Sequence, residues 1–363
     1  MPAPAPLRVL IAGGGTGGHV IPALAIGKQL RDAHNAEVHF VGTARGIETR
    51  LVPEAGFHLD LIHVGQLKNV SLFTRAKTMA GLTPSVLRCL QLLRTFRPHA
   101  VVGVGGYASG PAMIAAILLR IPTLAYEPNA APGLANRIVG KRVHAAAVSF
   151  AATTKFFRNA TVTGVPVRQA IFDIPALAPS APPRLLITAG SQGARVFNEM
   201  LPRIAADLLA AVPQLTIHHQ AGPRHLESTT AAYAATTADP TRIAVSAFIA
   251  DMPAEYAAAS LVLARSGSTV AELAAAGKPS ILVPFPHAAD DHQTKNAQIF
   301  ADAGAAILSP EATLTAEKLF AELSVLLNNP TRLSEMSAAA RTLAHPNAVE
   351  TIATLVVSIA RKN

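Results

Sequence analysis

The chain has 363 residues, half of them hydrophobic and only 15% charged, which suits about two domains, each with its own core. Its single cysteine, Cys89, excludes an internal disulfide framework, and the start MPAPAPLRVLIAGGG lacks the charged region and cleavage pattern of a signal peptide. The net charge of +9 is uneven: between Leu61 and Phe172 thirteen Lys/Arg meet one acid, Glu127, and the rest of the chain sums to −3. That asymmetry points to an anionic partner for the first half. No Arg/aromatic interleaving or recognition-helix signature accompanies it, which argues against nucleic acid and for anionic lipid.

In chain order, strands are predicted at Arg8–Ala12, Val38–Val41, Ala100–Val104, Thr123–Ala125 and Ala145–Val148, alternating with helices. The second half repeats the pattern at Arg184–Thr188, Thr216–His219, Ile243–Ser246, Leu261–Leu263 and Ser280–Val283. Each half opens on one unit, LRVLIAGGGTGGH at 7–19 and PRLLITAGSQGAR at 183–195. An apolar strand running into a glycine turn and helix is the phosphate-facing element of a Rossmann half. Its repetition predicts an α/β chain of two Rossmann-like domains with parallel sheets facing a cleft, residues 1–164 and 165–345. The amphipathic tail, with Val349, Ile352, Leu355, Val356 and Ile359, is expected to return as a helix at 346–363 onto the first domain. Residues 98–119 are uncharged, but GVGGYASGP breaks them into strand, turn and helix, so no membrane span is expected.

The first loop spells Gly13-x-Gly15-x-x-Gly18, the dinucleotide fingerprint. The second strand, however, leads into Gly42-Thr43-Ala44-Arg45, without the ribose-binding acid, which disfavours a nicotinamide cofactor. Thr16, Gly17 and Gly18 instead offer donors at a helix start. His19 is either a general base or a loop-supporting side chain. The second glycine loop, Gly103 to Pro111, permits close approach to an anion. Glu127, in Tyr126-Glu127-Pro128-Asn129, is either a structural ion pair or a functional carboxylate, and Asn129 offers a sugar-hydroxyl donor. In the third loop, Gly190 to Arg195, Ser191 and backbone N–H groups suit a diphosphate, with Arg168 a phosphate cation.

Residues 261–296 carry the fullest signal: a strand, a tight Arg265-Ser266-Gly267 turn, a helix opening on Ser268-Thr269, and Glu272 in its first turn. The helix start suits a phosphate, the carboxylate a ribose diol, and Gln293, on a following loop with Asp290, Asp291 and His292, a sugar hydroxyl. A plain capped helix would show the same spacing. The Asp290-Asp291-His292 run has no metal-ligand spacing. Residues 66–97 mix Val70, Leu72, Phe73, Met79, Leu82 and Val86 with Lys68, Arg75, Lys77, Arg88 and Arg94, a composition suited to resting on an anionic bilayer or to ordinary core.

Taken together, GGTGGHVIPALAIG, GVGGYASGP, EPN, GVPVR, GSQGAR, FIADM and ARSGSTVAELAAAGKPSILVPFPHAADDHQTKNA resemble the MurG family over nearly the whole chain and in the family's order. These are UDP-GlcNAc-dependent N-acetylglucosaminyltransferases of peptidoglycan synthesis. The resemblance implies the GT-B architecture and an inverting, metal-independent reaction without cofactor, from UDP-GlcNAc to lipid I, giving lipid II. It also implies a peripheral enzyme on the cytoplasmic face of the cell membrane, with other cell-wall synthesis proteins as partners. By motif, Thr16, Gly17, Gly18, Asn129, Arg168, Ser191, Ile249, Ser268, Thr269, Glu272 and Gln293 match donor contacts, Ile249 through its backbone to uracil. Gly105, Gly106 and Tyr107 match the acceptor or diphosphate loop, and His19 and Glu127 the positions considered for catalysis. The chain departs from the family in two places: RSGSTVAE is one residue short between turn and glutamate, and Tyr126 replaces a frequent histidine. Rival expectations are a transferase with another lipid acceptor such as diacylglycerol, a hydrolysing nucleotide-sugar epimerase, and a silent membrane scaffold.

Overall fold

The computed structural model describes residues 6–64, 72–176 and 181–361, with the side chains of 72–82 outside that set. Contacts divide the chain into two compact units, Met1–Pro166 with Asn347–Asn363, and Val167–Pro346.

The first unit holds seven parallel strands: β1 Leu7–Ala12, β2 Ala36–Thr43, β3 His58–Ile62, β4 Ala100–Gly103, β5 Thr123–Glu127, β6 Ala145–Val148 and β7 Ala160–Val162. Their order is β3-β2-β1-β4-β5-β6-β7. The second unit holds β8 Arg184–Thr188, β9 Thr216–Gln220, β10 Ile243–Ser246, β11 Leu261–Ala264, β12 Ser280–Leu282 and β13 Ala306–Leu308, in the order β10-β9-β8-β11-β12-β13. Each order reverses beside the unit's first strand, between β1 and β4 and between β8 and β11. Such a switch point leaves a crevice at the carboxyl ends of the strands, where open α/β sheets bind ligands.

The central strands are apolar on both faces because helices cover both. In the first unit, Val9, Ile11 and Val102 belong to the core on one side, and Leu10, Ala12 and Val101 to the core on the other. The helix Ala348–Arg361 joins the first of these cores through Ile352 and Val356, and packs against the helix Gly17–His34. Leu185, Ile187, Leu261, Leu263 and Ile281 anchor the core of the second unit.

Three strands lie outside the sequence expectation: β3, β7 and β13. Each is at a sheet edge and short: β3 buries only Ile62 of its five residues, β7 buries none, and β13, though apolar, is three residues long, so none stands out as a central strand does. The stretch 98–119 forms β4, a glycine turn and the helix Ser109–Leu118; among the described residues no helix is long and apolar enough to cross a membrane. The proposed bilayer-contacting segment is helical over Leu72–Phe96, with Val86 half-buried and Arg88 and Arg94 exposed. Lys68 and Val70, and the side chains of Leu72, Phe73, Arg75, Lys77, Met79 and Leu82, fall outside the described residues.

Candidate active site

At the switch point of the first unit, the turns after β1 and β4 interlock. A Cβ on Gly13 would lie 2.6 Å from the Gly105 carbonyl oxygen, and one on Gly106 would lie 2.3 Å from that of Gly14. Gly105 and Gly106 also adopt φ of +88° and +78°, so glycine is required there twice over. Thr16 caps the helix Gly17–His34, and His19 sits one turn in, half-buried. Its imidazole packs on Gly105, and its Nδ1 lies 3.4 Å from Thr16 Oγ1. Thr16, Gly17, Gly18, His19, Gly105 and Gly106 are therefore one cluster, with Tyr107 half-buried next in sequence.

Glu127 ends β5 and is 3% exposed. Its Oε1 accepts from the Asn129 backbone N–H at 3.1 Å and Asn129 Nδ2 at 3.2 Å; its Oε2 accepts from Gly133 N–H and Asn136 Nδ2, both at 3.0 Å. Burial pushes its pKa up, these four donors pull the other way, and the net shift is upward. A carboxylate has about four lone-pair sites, and here all four are engaged. Among the described residues Glu127 pairs with no cation; hydrogen bonds from its own loop take the place of the ion pair that was one of its two expected roles. It also engages the Asn129 amide that was expected to meet a sugar. Strand alternation sends the neighbouring Tyr126 into the core, fully buried, away from the loop edge. Asn136, which also donates to the Tyr126 carbonyl, is a site residue that the spacing did not reveal.

In the second unit, Ser191 lies exposed on the turn after β8. That turn is held by Gln220 Nε2 donating to the Gly190 carbonyl at 2.9 Å, and a Cβ on Gly193 would lie 2.0 Å from the Ala221 carbonyl oxygen. Across the switch point, Ser268 caps the helix Thr269–Ala276, as expected. Glu272, one turn in, accepts a 3.0 Å hydrogen bond on Oε2 from the hydroxyl of the fully buried Tyr256. Burial raises the Glu272 pKa, while the Tyr256 bond and the charge of Arg168 lower it, for a net upward shift. Arg168, exposed at the cap of the helix Gln169–Phe172, is thus close enough to be felt by both Glu272 and Tyr256. Tyr256 carries no signal in the spacing, being sixteen residues away in the preceding helix, Met252–Ala258.

Gln293 belongs to a helix start rather than to a loop, since the helix His292–Asp302 begins one residue before it. Ser266 Oγ donates to the Gln293 carbonyl at 2.8 Å, and Asn296 Nδ2 donates to the Ser266 carbonyl at 3.0 Å, which ties that helix to the Arg265-Ser266-Gly267 turn. Gln293 Oε1 accepts from the Phe285 N–H, and a Cβ on Gly267 would lie 3.7 Å from Nε2. The amide therefore lies beside the turn that precedes Ser268. Ile249, after β10, is buried while Phe248 stands exposed; Asp251 caps the helix that carries Tyr256.

A separate group, His39, His58 and Asp60, brings ligand-type atoms within 4.8 Å of one another across β2 and β3. Within it Asp60 pairs with His58 at 3.4 Å, and the adjacent Glu37 pairs with His39 at 3.5 Å. Burial, then the neighbouring His58, lowers the His39 pKa.

Two doubly wound parallel sheets, each with glycine or helix-start donors at its switch point and one with a buried acid behind that helix start, give the GT-B architecture. Residues 9–148 match the glycosyltransferase family 28 N-terminal domain and residues 184–352 the family 28 C-terminal domain. The UDP-N-acetylglucosamine–N-acetylmuramyl-(pentapeptide) pyrophosphoryl-undecaprenol N-acetylglucosamine transferase of Solibacter usitatus is 44% identical, covering 97% of this chain and 96% of that protein. Its counterpart in Syntrophotalea carbinolica is 43% identical, covering 95% and 97%. The crystal structure of Acinetobacter baumannii MurG superposes with a TM-score of 0.80 at 34% identity, covering 97% of this chain and all of that one. The chain belongs to glycosyltransferase family 28, and within it to the MurG family of N-acetylglucosamine transferases.

Proposed function

We propose that the chain transfers GlcNAc from UDP-GlcNAc to the C4 hydroxyl of the MurNAc of lipid I, giving lipid II for peptidoglycan. Full-length similarity to transferases named for that reaction supports the substrates. The observation that carries the reading in this chain is the Tyr256–Glu272 pair behind the Ser268 helix start. Tyr256 occupies Oε2, so Glu272 meets the ribose diol through Oε1. Ser191, Ser268 and Thr269 meet the diphosphate, Arg168 its charge, Ile249 the uracil, and Gln293 the sugar.

The second unit, 167–346, presents the donor, and the first, with the C-terminal helix, the acceptor. Gly105, Gly106 and Tyr107, with the N–H groups of Thr16, Gly17 and Gly18, face phosphate oxygens. The C4 oxygen forms its bond to the anomeric carbon from the side opposite UDP, the bond from that carbon to the UDP oxygen breaks, and configuration inverts. His19 takes the hydroxyl proton, and Glu127 with Asn129 shapes the adjacent loop. Helix-start N–H groups and Arg168 balance the charge on departing UDP, so the reaction proceeds with a chelator present.

The lipid tail of the acceptor draws the enzyme to the cytoplasmic face of the membrane as a peripheral protein, working beside other cell-wall synthesis proteins. The basic excess between Leu61 and Phe172, together with exposed Leu87, Leu118, Leu134 and Ile138, supports contact with an anionic leaflet.

The test is transfer of labelled GlcNAc to a short-chain lipid I analogue, with diacylglycerol and no acceptor as parallel arms. A disaccharide lipid formed from the first arm alone is expected. Product on diacylglycerol, or consumption of UDP-GlcNAc without an acceptor, would overturn the assignment.

A further inference from the structure

Glu48 opens the helix Glu48–Glu54, yet its side chain turns away from that helix and is 1% exposed. Its Oε2 accepts the backbone N–H of Gly15 at 2.8 Å; its Oε1 accepts the N–H of Thr43 at 2.9 Å and the Thr43 hydroxyl at 3.0 Å. Three glycines make room for this carboxylate. A Cβ on Gly46 would lie 1.8 Å from Oε2, one on Gly14 would lie 2.1 Å from Oε1, and one on Gly42 would lie 2.6 Å from Cγ. Among the described residues no cation lies within ion-pairing distance of Glu48, so its three hydrogen bonds are what offset burying it.

None of the three bonds serves the helix that carries Glu48. All go to the end of β2 and to the first glycine loop. By taking the Gly15 N–H inward, the carboxylate fixes Gly15 at φ +95°, and the next residue is Thr16, the cap of the helix that carries His19. The opposite wall of His19 is Gly105, from the second loop. One buried side chain thus sets the chain from Gly15 through Thr16 to His19.

We propose that Glu48 is a positioning residue for the transfer reaction, holding the Gly13–Gly18 loop so that His19 stands where it takes the acceptor proton. This rests on the function proposed above. A carboxylate suits the task because it accepts on both oxygens; an amide of the same shape would turn an NH2 group toward either the Gly15 or the Thr43 donors.

The experiment compares steady-state kinetics of the full chain and three variants, using UDP-GlcNAc and the short-chain lipid I analogue. Glu48→Gln is expected to lower kcat at least tenfold while the KM for UDP-GlcNAc stays within about threefold. Gly46→Ala, whose methyl would displace the same carboxylate, is expected to share that signature and serves where Glu48→Gln does not fold. Thr43→Val removes a hydroxyl bond to the same carboxylate but leaves the Gly15 bond, so kcat is retained even where the melting temperature drops. Wild-type kcat in folded Glu48→Gln or Gly46→Ala, or an equal loss of kcat in Thr43→Val, would overturn the proposal. An inactive wild-type chain would instead overturn the functional reading beneath it.

Discussion

The imidazole of His19 rests against Gly105, so closely that a Cβ added there would lie 2.9 Å from both Cδ2 and Nε2. Two loops about ninety positions apart in sequence therefore define one side-chain position. Gly105→Ala would both press on the ring and force alanine to φ +88°. The backbone strain alone costs about 1–2 kcal/mol. A folded variant with kcat reduced tenfold or more is expected, measured beside its thermal melt; unchanged turnover would separate His19 placement from this contact.

Tyr256→Phe removes one hydroxyl from a fully buried ring and leaves the Glu272 carboxylate without its orienting donor. A hydrogen bond to a charged group is worth about 1.5–3 kcal/mol. The KM for UDP-GlcNAc is expected to rise roughly tenfold or more, with kcat little changed once donor is saturating. Calorimetric titration with UDP alone checks the same point, and unaltered affinity would reject the pairing as a donor determinant.

His219 is buried, and burial, followed by the neighbouring His218, lowers its pKa to about 3 from an ordinary 6.5. Between those values the unfolded chain binds a proton that the folded chain does not. Stability from this group is therefore intact above pH 6.5 and falls as the pH drops toward 3, by up to about 1.4 kcal/mol per pH unit. Raised Glu127 and Glu272 pKa values act in the opposite sense, so the measurement is the difference between wild type and His219→Gln in denaturant melts from pH 7 to 4. The difference should shrink as the pH falls; a constant difference would show that His219 does not titrate in this way.

Both glycine-loop units, the central strands and the Ser268–Glu272 helix start were legible in the sequence, because each is a local pattern of apolar run, glycine and cap. The edge strands β3, β7 and β13 were not: β3 and β7 mix polar with apolar residues, and the apolar β13 is too short to stand out from the helix before it. The donors around Glu127 lie near it in sequence, but whether they converge depends on how the loop closes. Tyr256 and Glu48 were hidden for a simpler reason: their partners, Glu272 and Gly15, lie 16 and 33 positions away. The cluster Gly42, Gly46 and Glu48 was the one available hint of a buried acid, visible only once the glycines are seen to pack on it.

In the proposed reaction labour is divided, with His19 in one unit handling the acceptor proton and Glu272 in the other holding the donor. Steady-state kinetics of His19→Ala and Glu272→Ala, with both substrates varied, test it most directly. Loss of a general base costs roughly 10²–10⁴-fold. A loss of that order in kcat is expected for His19→Ala with the KM for UDP-GlcNAc nearly unchanged, and the reverse pattern for Glu272→Ala. Full turnover in His19→Ala, or unaltered donor affinity in Glu272→Ala, would contradict it.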